Sequence, residues 1–376
     1  MARCRVCGSW SPLTASSLGA CAPCIRADPP ALRAHIARAH ARTRRAFRLP
    51  PEPLRDPDGI LCDLCANQCQ ITSDLVGYCG LRRNVGGRLV GGAPTQGKLS
   101  WYFDPLPTNC VADWVCPAGT GVGYPTWSRR PGPEYGYRNL AVFYQACSFN
   151  CLGCQNWHYR EAAGAGECVT PAALAAQVDD RTACICYFGG DPSPQFPHSV
   201  ATSVLARRRT PERILRICWE TNGTMHPRWL RRAMGIAVAS GGCIKFDLKA
   251  WDEGIHRALT GFSNRWTLEN FRLAAELSGA RAAPPVLVAS TLLVPGYVDA
   301  AEVGALARFI AGLNPDIPYS LLAFSPQFYL HDLPVTSQAH AEEALAAAKA
   351  AGLTRVRIGN IHLLGEPYDL PSRMAV

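Results

Sequence analysis

Three cysteines in the spacing C-x3-C-x2-C, Cys147, Cys151 and Cys154, follow directly on the apolar run Ala141–Gln145. Three thiolates on one loop can hold three irons of a [4Fe–4S] cube and leave the fourth iron without a protein ligand. A catalytic metal site needs such an open position, whereas structural sites are closed. Further polar groups stand where later apolar runs end: Phe188-Gly189-Gly190-Asp191-Pro192, Trp219-Glu220-Thr221-Asn222-Gly223 and Lys245-Phe246-Asp247-Leu248-Lys249. Adjacent glycines permit close backbone approach, and a carboxylate beside them accepts from an ammonium group. Taken singly, Glu220 or Asp247 reads as a helix cap, Lys249 as a surface lysine and the glycines as turn formers. Their succession at strand ends is what points to a site.

Two other cysteine groups lie upstream. Cys4, Cys7, Cys21 and Cys24 form two C-x2-C pairs thirteen residues apart, a spacing that lets two tight turns make a tetrahedral S4 site for zinc or a rubredoxin-like iron. Cys62, Cys65, Cys69 and Cys79 offer four ligands to a second, fully ligated [4Fe–4S] cluster or to zinc, with Cys110 and Cys116 able to replace one of them. Cys168, Cys184, Cys186, Cys218 and Cys243 lie in or near apolar runs and read as core residues. The chain holds 18 cysteines, and Met1–Trp10 has no apolar leader. Metal ligation in a reducing, cytoplasmic setting is therefore expected rather than disulfides.

The elements that must position these groups follow from periodicity. At 48% hydrophobic and 18% charged over 376 residues, the chain is globular, with two or three domains and no apolar run of the ~20 residues that a membrane span needs. Of its net charge of +9, the first fifty residues supply nearly all, with nine arginines against Asp28. Residues 31–48 read as a basic helix with a solvated face, less often one that meets nucleic acid. Residues 1–50 then form a Cys4 knuckle plus this helix, and 51–137 a Cys-rich, loop-rich module. The end of that module, 101–137, reads as a long irregular cover. Residues 138–362 alternate strands and helices, and 363–376 are a tail. Strands are expected at Ala141–Gln145, Ala183–Phe188, Ile214–Trp219, Cys243–Leu248, Val286–Val294, Tyr319–Phe324 and Arg355–Ile358. Helices are expected at Ala172–Val178, Ser199–Arg207, Pro227–Ala239, Trp266–Leu277, Val303–Leu313 and Gln338–Ala351, with Asp299 as an N-cap. The fold class is α/β, a partial (β/α)6 barrel with N-terminal Cys-rich modules, whose active residues lie at the C-terminal strand ends.

This ordered set resembles the radical S-adenosylmethionine superfamily over about residues 60–362. It looks like the pyruvate formate-lyase activating enzyme group. It is closer still to the AmmeMemoRadiSam radical enzymes, through Cys154–Trp157 (CQNW), Gly189-Gly190-Asp191-Pro192-x-Pro194-Gln195, Gly359-Asn360, and Gly77–Arg82 in the upstream cysteine group. The resemblance implies that Cys147, Cys151 and Cys154 bind a [4Fe–4S] cluster and that Gly189, Gly190 and Asp191 hold the methionine amino group of S-adenosylmethionine. Glu220 and Thr221 would face the ribose side, with Asp247 and Lys249 around the ribose and carboxylate. In the activating enzymes the equivalents of Glu220, Thr221 and Asp247 also help to build a monovalent-cation site. The implied activity is reductive cleavage of the cofactor to a 5′-deoxyadenosyl radical that takes hydrogen from a small molecule or peptide, fed by an electron donor such as a flavodoxin or ferredoxin. The alternatives are a glycyl-radical activase and a non-catalytic metal protein that binds nucleic acid. Gly153 replaces the usual aromatic residue, Asp191 is shorter than the usual Glu, and Ser325 stands where the activating enzyme has a histidine.

Overall fold

The computed structural model describes residues 2–163 and 168–370. Its frame is a nine-stranded sheet made of β1 (Gly97–Pro105), β2 (Arg138–Tyr144), β3 (Thr182–Gly189), β4 (Arg216–Thr221), β5 (Ile244–Asp247), β6 (Leu287–Leu293), β7 (Tyr319–Ala323), β8 (Val356–Gly359) and a two-residue edge strand, Cys168–Val169. From β2 to β8 every neighbouring pair is parallel and in chain order. Strands covered on both faces need apolar residues at nearly every position. Leu287–Leu293 satisfies this, with six of its seven residues buried. The helices packed around the sheet are α1 (Pro30–Arg45), α2 (Phe196–Arg209), α3 (Pro227–Ser240), α4 (Glu253–Thr260), α5 (Arg265–Ser278), α6 (Ala300–Leu313) and α7 (Gln338–Ala350). Asp299 caps α6, accepting from the Glu302 amide at 3.0 Å. Residues from β3 through β8 line a single cavity, so the sheet is curled into an open barrel. The parallel α/β frame agrees with the expected fold class, and the seven strands lie within a few residues of the expected ranges.

Three features differ from expectation. Residues 97–105 continue the sheet as β1, antiparallel to β2, although 101–137 read as irregular. Alternating exposure and the polar Lys98, Ser100 and Asp104 hide this strand from an apolar-run search. The short helix α4, capped by Asp252, was not anticipated either.

The third concerns α1. Its inner face is not solvated: Leu32, Ala39, His40, Ala41, Thr43 and Arg44 are buried. The Arg44 guanidinium stacks on the Tyr78 ring at 3.4 Å and donates to the carbonyls of Pro50 and Tyr78. Polar residues that spend their hydrogen bonds inside the protein leave no apolar stripe to reveal the buried face.

Residues 106–137 cover the barrel, but at its floor. Arg129 donates to the carbonyls of Thr182 and Ile214, where β3 and β4 begin. Arg216, at the start of β4, pairs with Glu134, and Asp113 pairs with Arg357 near the start of β8. The segment therefore closes the N-terminal ends of the strands rather than the mouth. The tail expected from 363 docks back through Tyr368, whose hydroxyl meets the Ser337 amide and His340, and its last six residues lie outside the described residues.

Candidate functional site

Where β2 ends, residues 146–154 form a loop that other segments hold from several sides. The Asn150 amide donates to the Thr260 carbonyl of α4 at 2.9 Å, and the Leu152 amide to Leu259 O at 2.9 Å. Asn150 Nδ2 lies 2.7 Å from Thr43 Oγ1 and 3.1 Å from His40 Nδ1, both on α1. Its Oδ1 accepts from the Arg160 guanidinium at 3.1 Å. Asn67, inside the second cysteine group, donates to Ser148 O at 2.8 Å. His40 also meets Ala258 O at 3.0 Å, and burial pulls its pKa down to about 4, so the imidazole is a neutral hydrogen-bonding strut and not a metal ligand.

Cys147, Cys151 and Cys154 open together onto a cavity of about 360 Å3, which Gly189, Gly190, Asp191, Glu220, Thr221, Asp247 and Lys249 also line. The structure thus brings these ten expected residues to one place. Gly189 has φ +118°, and a Cβ there would meet Tyr144 N at 2.5 Å; one on Gly190 would meet Ala146 O at 2.3 Å. Only glycine fits this crossing of two chain segments. Asp191 is buried and accepts from the amides of Ser193 (2.7 Å) and Asn222 (2.8 Å) and from Thr221 Oγ1 (2.9 Å). Burial raises its pKa although these donors oppose the rise. Its carboxylate therefore ties the end of β3 to the end of β4. Lys249 is paired with Asp247, whose charge holds the ammonium's pKa up against burial. Glu220 is turned to Lys245 at 2.6 Å.

Burial raises the Cys147 thiol well above its ordinary value and brings Cys151 to about 11. Thiols so placed ionise only with a cation at hand. Arg160 Nε and Nη1 and Asp247 Oδ1 are buried and carry no partner, and both residues line this cavity. Unpaired buried groups are costly, so a polar occupant suits the site. The donor set of three thiols, a guanidinium, a lysine and carboxylates fits a thiolate-ligated cluster and a zwitterionic cofactor. Arg160 was missed in the sequence; its place six residues after Cys154 is the available signal.

The upstream groups are also assembled. Cys4, Cys7, Cys21 and Cys24 bring their sulfur atoms within 4.8 Å of one another, with Cys7–Cys21 at 3.8 Å and Cys4–Cys21 at 3.7 Å. Burial raises Cys4, but backbone amides outweigh it and bring it to about 6, while burial raises Cys21. Four thiols this close are ready for a metal ion. Cys62, Cys65, Cys69 and Cys79 line one small cleft. Cys110 and Cys116 line the floor cavity instead, with Cys110 also bordering the main one, so they do not stand in for a ligand of that group.

On the floor side of Glu220 and Lys245 a second cavity faces Cys110, Cys116, Cys184, Cys186, Cys218 and Cys243. Cys184, Cys186 and Cys243 are buried, as expected, with Cys218 half-buried, and these four share one chamber; Cys168, expected in the core, is instead exposed, because its two-residue strand lies at the edge of the sheet. Pairing Trp219 with Ile244 sets Cys218 beside Cys243, and their sulfur atoms are 3.9 Å apart.

The chain is 26% identical over 322 residues to an uncharacterized protein of Methanocaldococcus jannaschii, covering 81% of this chain and 83% of the other. It is 30% identical over 190 residues to the isethionate sulfite-lyase activating enzyme of Desulfovibrio desulfuricans, covering 49% of this chain and about half (54%) of that relative. A solved domain of a pyruvate-formate lyase-activating enzyme from Bacteroides vulgatus aligns at 20% identity and TM-score 0.37, over 46% of this chain and 98% of that one. Residues 141–310 match the family described as the Radical SAM superfamily.

Proposed function

With residues 141–310 a domain of the radical SAM superfamily, we propose that the chain is an enzyme that abstracts hydrogen from a small-molecule or peptide substrate, with Cys147, Cys151 and Cys154 as cluster ligands. The observation that carries this reading is the convergence of three thiols with the ends of β3, β4 and β5 on a cavity where Arg160 and Asp247 keep unpaired polar atoms. When bound, a [4Fe–4S] cluster and S-adenosylmethionine supply reductive cleavage of the sulfonium S–C5′ bond to methionine and a 5′-deoxyadenosyl radical.

The chain's own residues bind and orient. Gly189 and Gly190 present backbone to the methionine amino group, and Asp191 fixes that backbone through Thr221 and Asn222. Asp247 and Lys249 flank the ribose and carboxylate, with Thr221 and Glu220 on the ribose side. Arg160 offsets negative charge beside Cys154. Burial of Cys147 and the fixed loop around Asn150 keep the ligands in place and water out. An electron donor of the flavodoxin or ferredoxin kind serves the reading, and among the described residues no helix is long and apolar enough to cross a membrane.

The test is anaerobic reconstitution, addition of S-adenosylmethionine and dithionite, and quantification of 5′-deoxyadenosine beside a Cys147→Ala variant. Product from the wild type alone supports the proposal; an intact four-iron cluster that never yields it, with or without candidate substrates, sinks it. Iron near eight per chain supports a second cluster at Cys62–Cys79, and near four rules that cluster out. The likeness to an activating enzyme favours one further reading, a glycyl radical made on a partner protein. Co-incubation with candidate partners would then give a glycyl doublet by EPR.

A further inference from the structure

Reductive cleavage needs an electron from outside the chain, and the loop that carries Cys154 meets the surface beside an arginine-rich helix face. On α1 the exposed Arg38, Arg42 and Arg45 stand at i, i+4 and i+7, so they share one stripe, about 10 Å long. Arg5 reaches the same side from the Cys4 module: a Cβ on Gly19 would meet both Arg5 Nε, at 2.8 Å, and His35 Nε2, at 3.1 Å. Burial lowers the His35 pKa, and the charges of Arg5, Arg38 and Arg42 add to the fall, so these three act on one spot. Arg26 pairs with Glu302 and Arg33 with Asp28, but among the described residues Arg5, Arg38, Arg42 and Arg45 form no ion pair. The helix dipole favours cations in the last turn, which accounts for Arg42 and Arg45 but not for Arg38 in mid-helix. Like charges four residues apart destabilise a helix, so the stripe has a cost where it stands.

The stripe runs into a group of aromatic rings that touch the cysteine loop. The Arg42 guanidinium lies 5.6 Å from the Tyr329 ring centre. The Tyr329 amide donates to Leu152 O at 2.8 Å, between Cys151 and Cys154. Phe47, just past the end of α1, sits 6.0 Å from both Trp157 and Phe328, and those two rings stack at 5.7 Å. Trp157 is the third residue after Cys154, and Gln155 and Asn156 between them are exposed. A solvated helix face explains arginines. It does not explain why they converge on rings packed against the loop of Cys151 and Cys154.

We propose that this face of α1, with Arg5 and the half-buried edges of Phe47 and Trp157, docks an acidic electron-carrier protein that reduces the cluster from the Cys154 side, a role that rests on Cys147, Cys151 and Cys154 being the cluster ligands. One electron leaves the reduced carrier and enters the cluster; no atom is transferred and no bond changes partners. Carboxylates of the carrier meet the arginines, which orients it and speeds encounter, while its redox group faces the Trp157 end. Nucleic acid also suits arginines beside aromatic rings. It gives no reason for the stripe to end at Cys154, whereas an electron carrier does.

Stopped-flow reduction tests this on the reconstituted full chain, with an acidic flavodoxin in its hydroquinone form as the carrier and cluster absorbance as the readout. Arg38→Glu/Arg42→Glu/Arg45→Glu should be reduced roughly tenfold more slowly than wild type at low salt, and the gap should narrow as salt screens the charges. Its iron content should match wild type, and dithionite should still reduce it fully. Arg130→Glu/Arg208→Glu/Arg209→Glu makes the same charge change at exposed positions on the floor segment and at the end of α2, and should keep the wild-type rate. Should circular dichroism show that the stripe variant has unfolded, Arg38→Gln/Arg42→Gln carries the same comparison. A folded, iron-replete stripe variant that the carrier reduces at the wild-type rate overturns the proposal. So does a single-stranded RNA that binds wild type but not this variant while reduction by the carrier is unchanged, because the face then belongs to nucleic acid. A wild type that assembles no four-iron cluster overturns the proposed function and this docking together; the other outcomes bear on the docking face alone.

Discussion

Replacing Glu134 by Gln should destabilise the protein far more than removing a surface charge. The side chains of Arg216 and Glu134 are 2% and 0% exposed, and the guanidinium meets both carboxylate oxygens, at 2.8 and 2.5 Å. Glu134 also accepts from the Arg129 amide at 2.8 Å and from Ser128 Oγ at 3.1 Å. Glutamine keeps the shape but leaves Arg216 charged and buried, with one amide NH2 facing donors. Breaking a buried pair in this way costs about 3–5 kcal/mol. An unfolding entropy of about 2.1 cal/mol/K per residue gives roughly 0.8 kcal/mol/K over 376 residues, so the melting midpoint should fall by roughly 4–6 °C. Burial pushes the Glu134 carboxyl up, but Arg216 outweighs it and holds the net value below the ordinary carboxylate. A depressed carboxyl stabilises the fold above its unfolded value near ~4.3 and loses that contribution as pH falls through the folded value. The gap between variant and wild type should therefore be full at pH 7 and narrow below about pH 4. Thermal melts of metal-free protein by circular dichroism measure both, with Asp180→Asn as the control, since Asp180 is 98% exposed in its pair with Arg213. A loss under about 1 kcal/mol at pH 7, the range of exposed pairs, would refute the reasoning.

Thr43→Val removes the hydroxyl that accepts from Asn150 and should cost about 1–3 kcal/mol, with faster iron loss from the reconstituted protein on desalting. Burial lowers His40, His198 and His256 to about 4 each, so the unfolded chain binds about three more protons near pH 5. Stability should fall as pH drops from about 6.5 toward 4, by roughly 4 kcal/mol per unit around pH 5, which denaturant titrations at several pH values will show. Cys4→Ser/Cys7→Ser should remove one tightly held metal ion and lower the melting midpoint, because the knuckle docks on the barrel through Tyr297, whose hydroxyl meets Ala15 N and Ala20 O.

The parallel strands could be read from sequence because burial on both faces makes them uninterrupted apolar runs, as in Val286–Val294. The convergence of the expected residues on one cavity could be read because each strand of such a barrel delivers its C-terminal end to one mouth. The rest depended on distances along the chain that spacing cannot express. That Cys218 meets Cys243 follows from the register of β4 on β5, and that Arg160 faces Cys154 follows from the turn after the cluster loop. The inner face of α1 stayed hidden because His40, Thr43 and Arg44 are polar and find their partners only after docking. The floor segment carries mixed polar and aromatic residues, so its composition suggests a cover without saying which end of the barrel it covers.

The tethering of Asn150 bears on how the protein assembles. Its contact with His40 spans 110 residues and the Asn67–Ser148 contact spans 81, so both are long loop closures. Contacts of such separation form late and slow the search, because chain entropy is lost before they repay it. Both upstream modules leave the ribosome before the loop they clamp exists, and their docking faces stay uncovered until β2 and the loop arrive. Hydrogen exchange at the Asn150 amide, which is bonded to α4 on the far side, thus reports completion: it becomes slow only when early and late segments have met at residues 146–154.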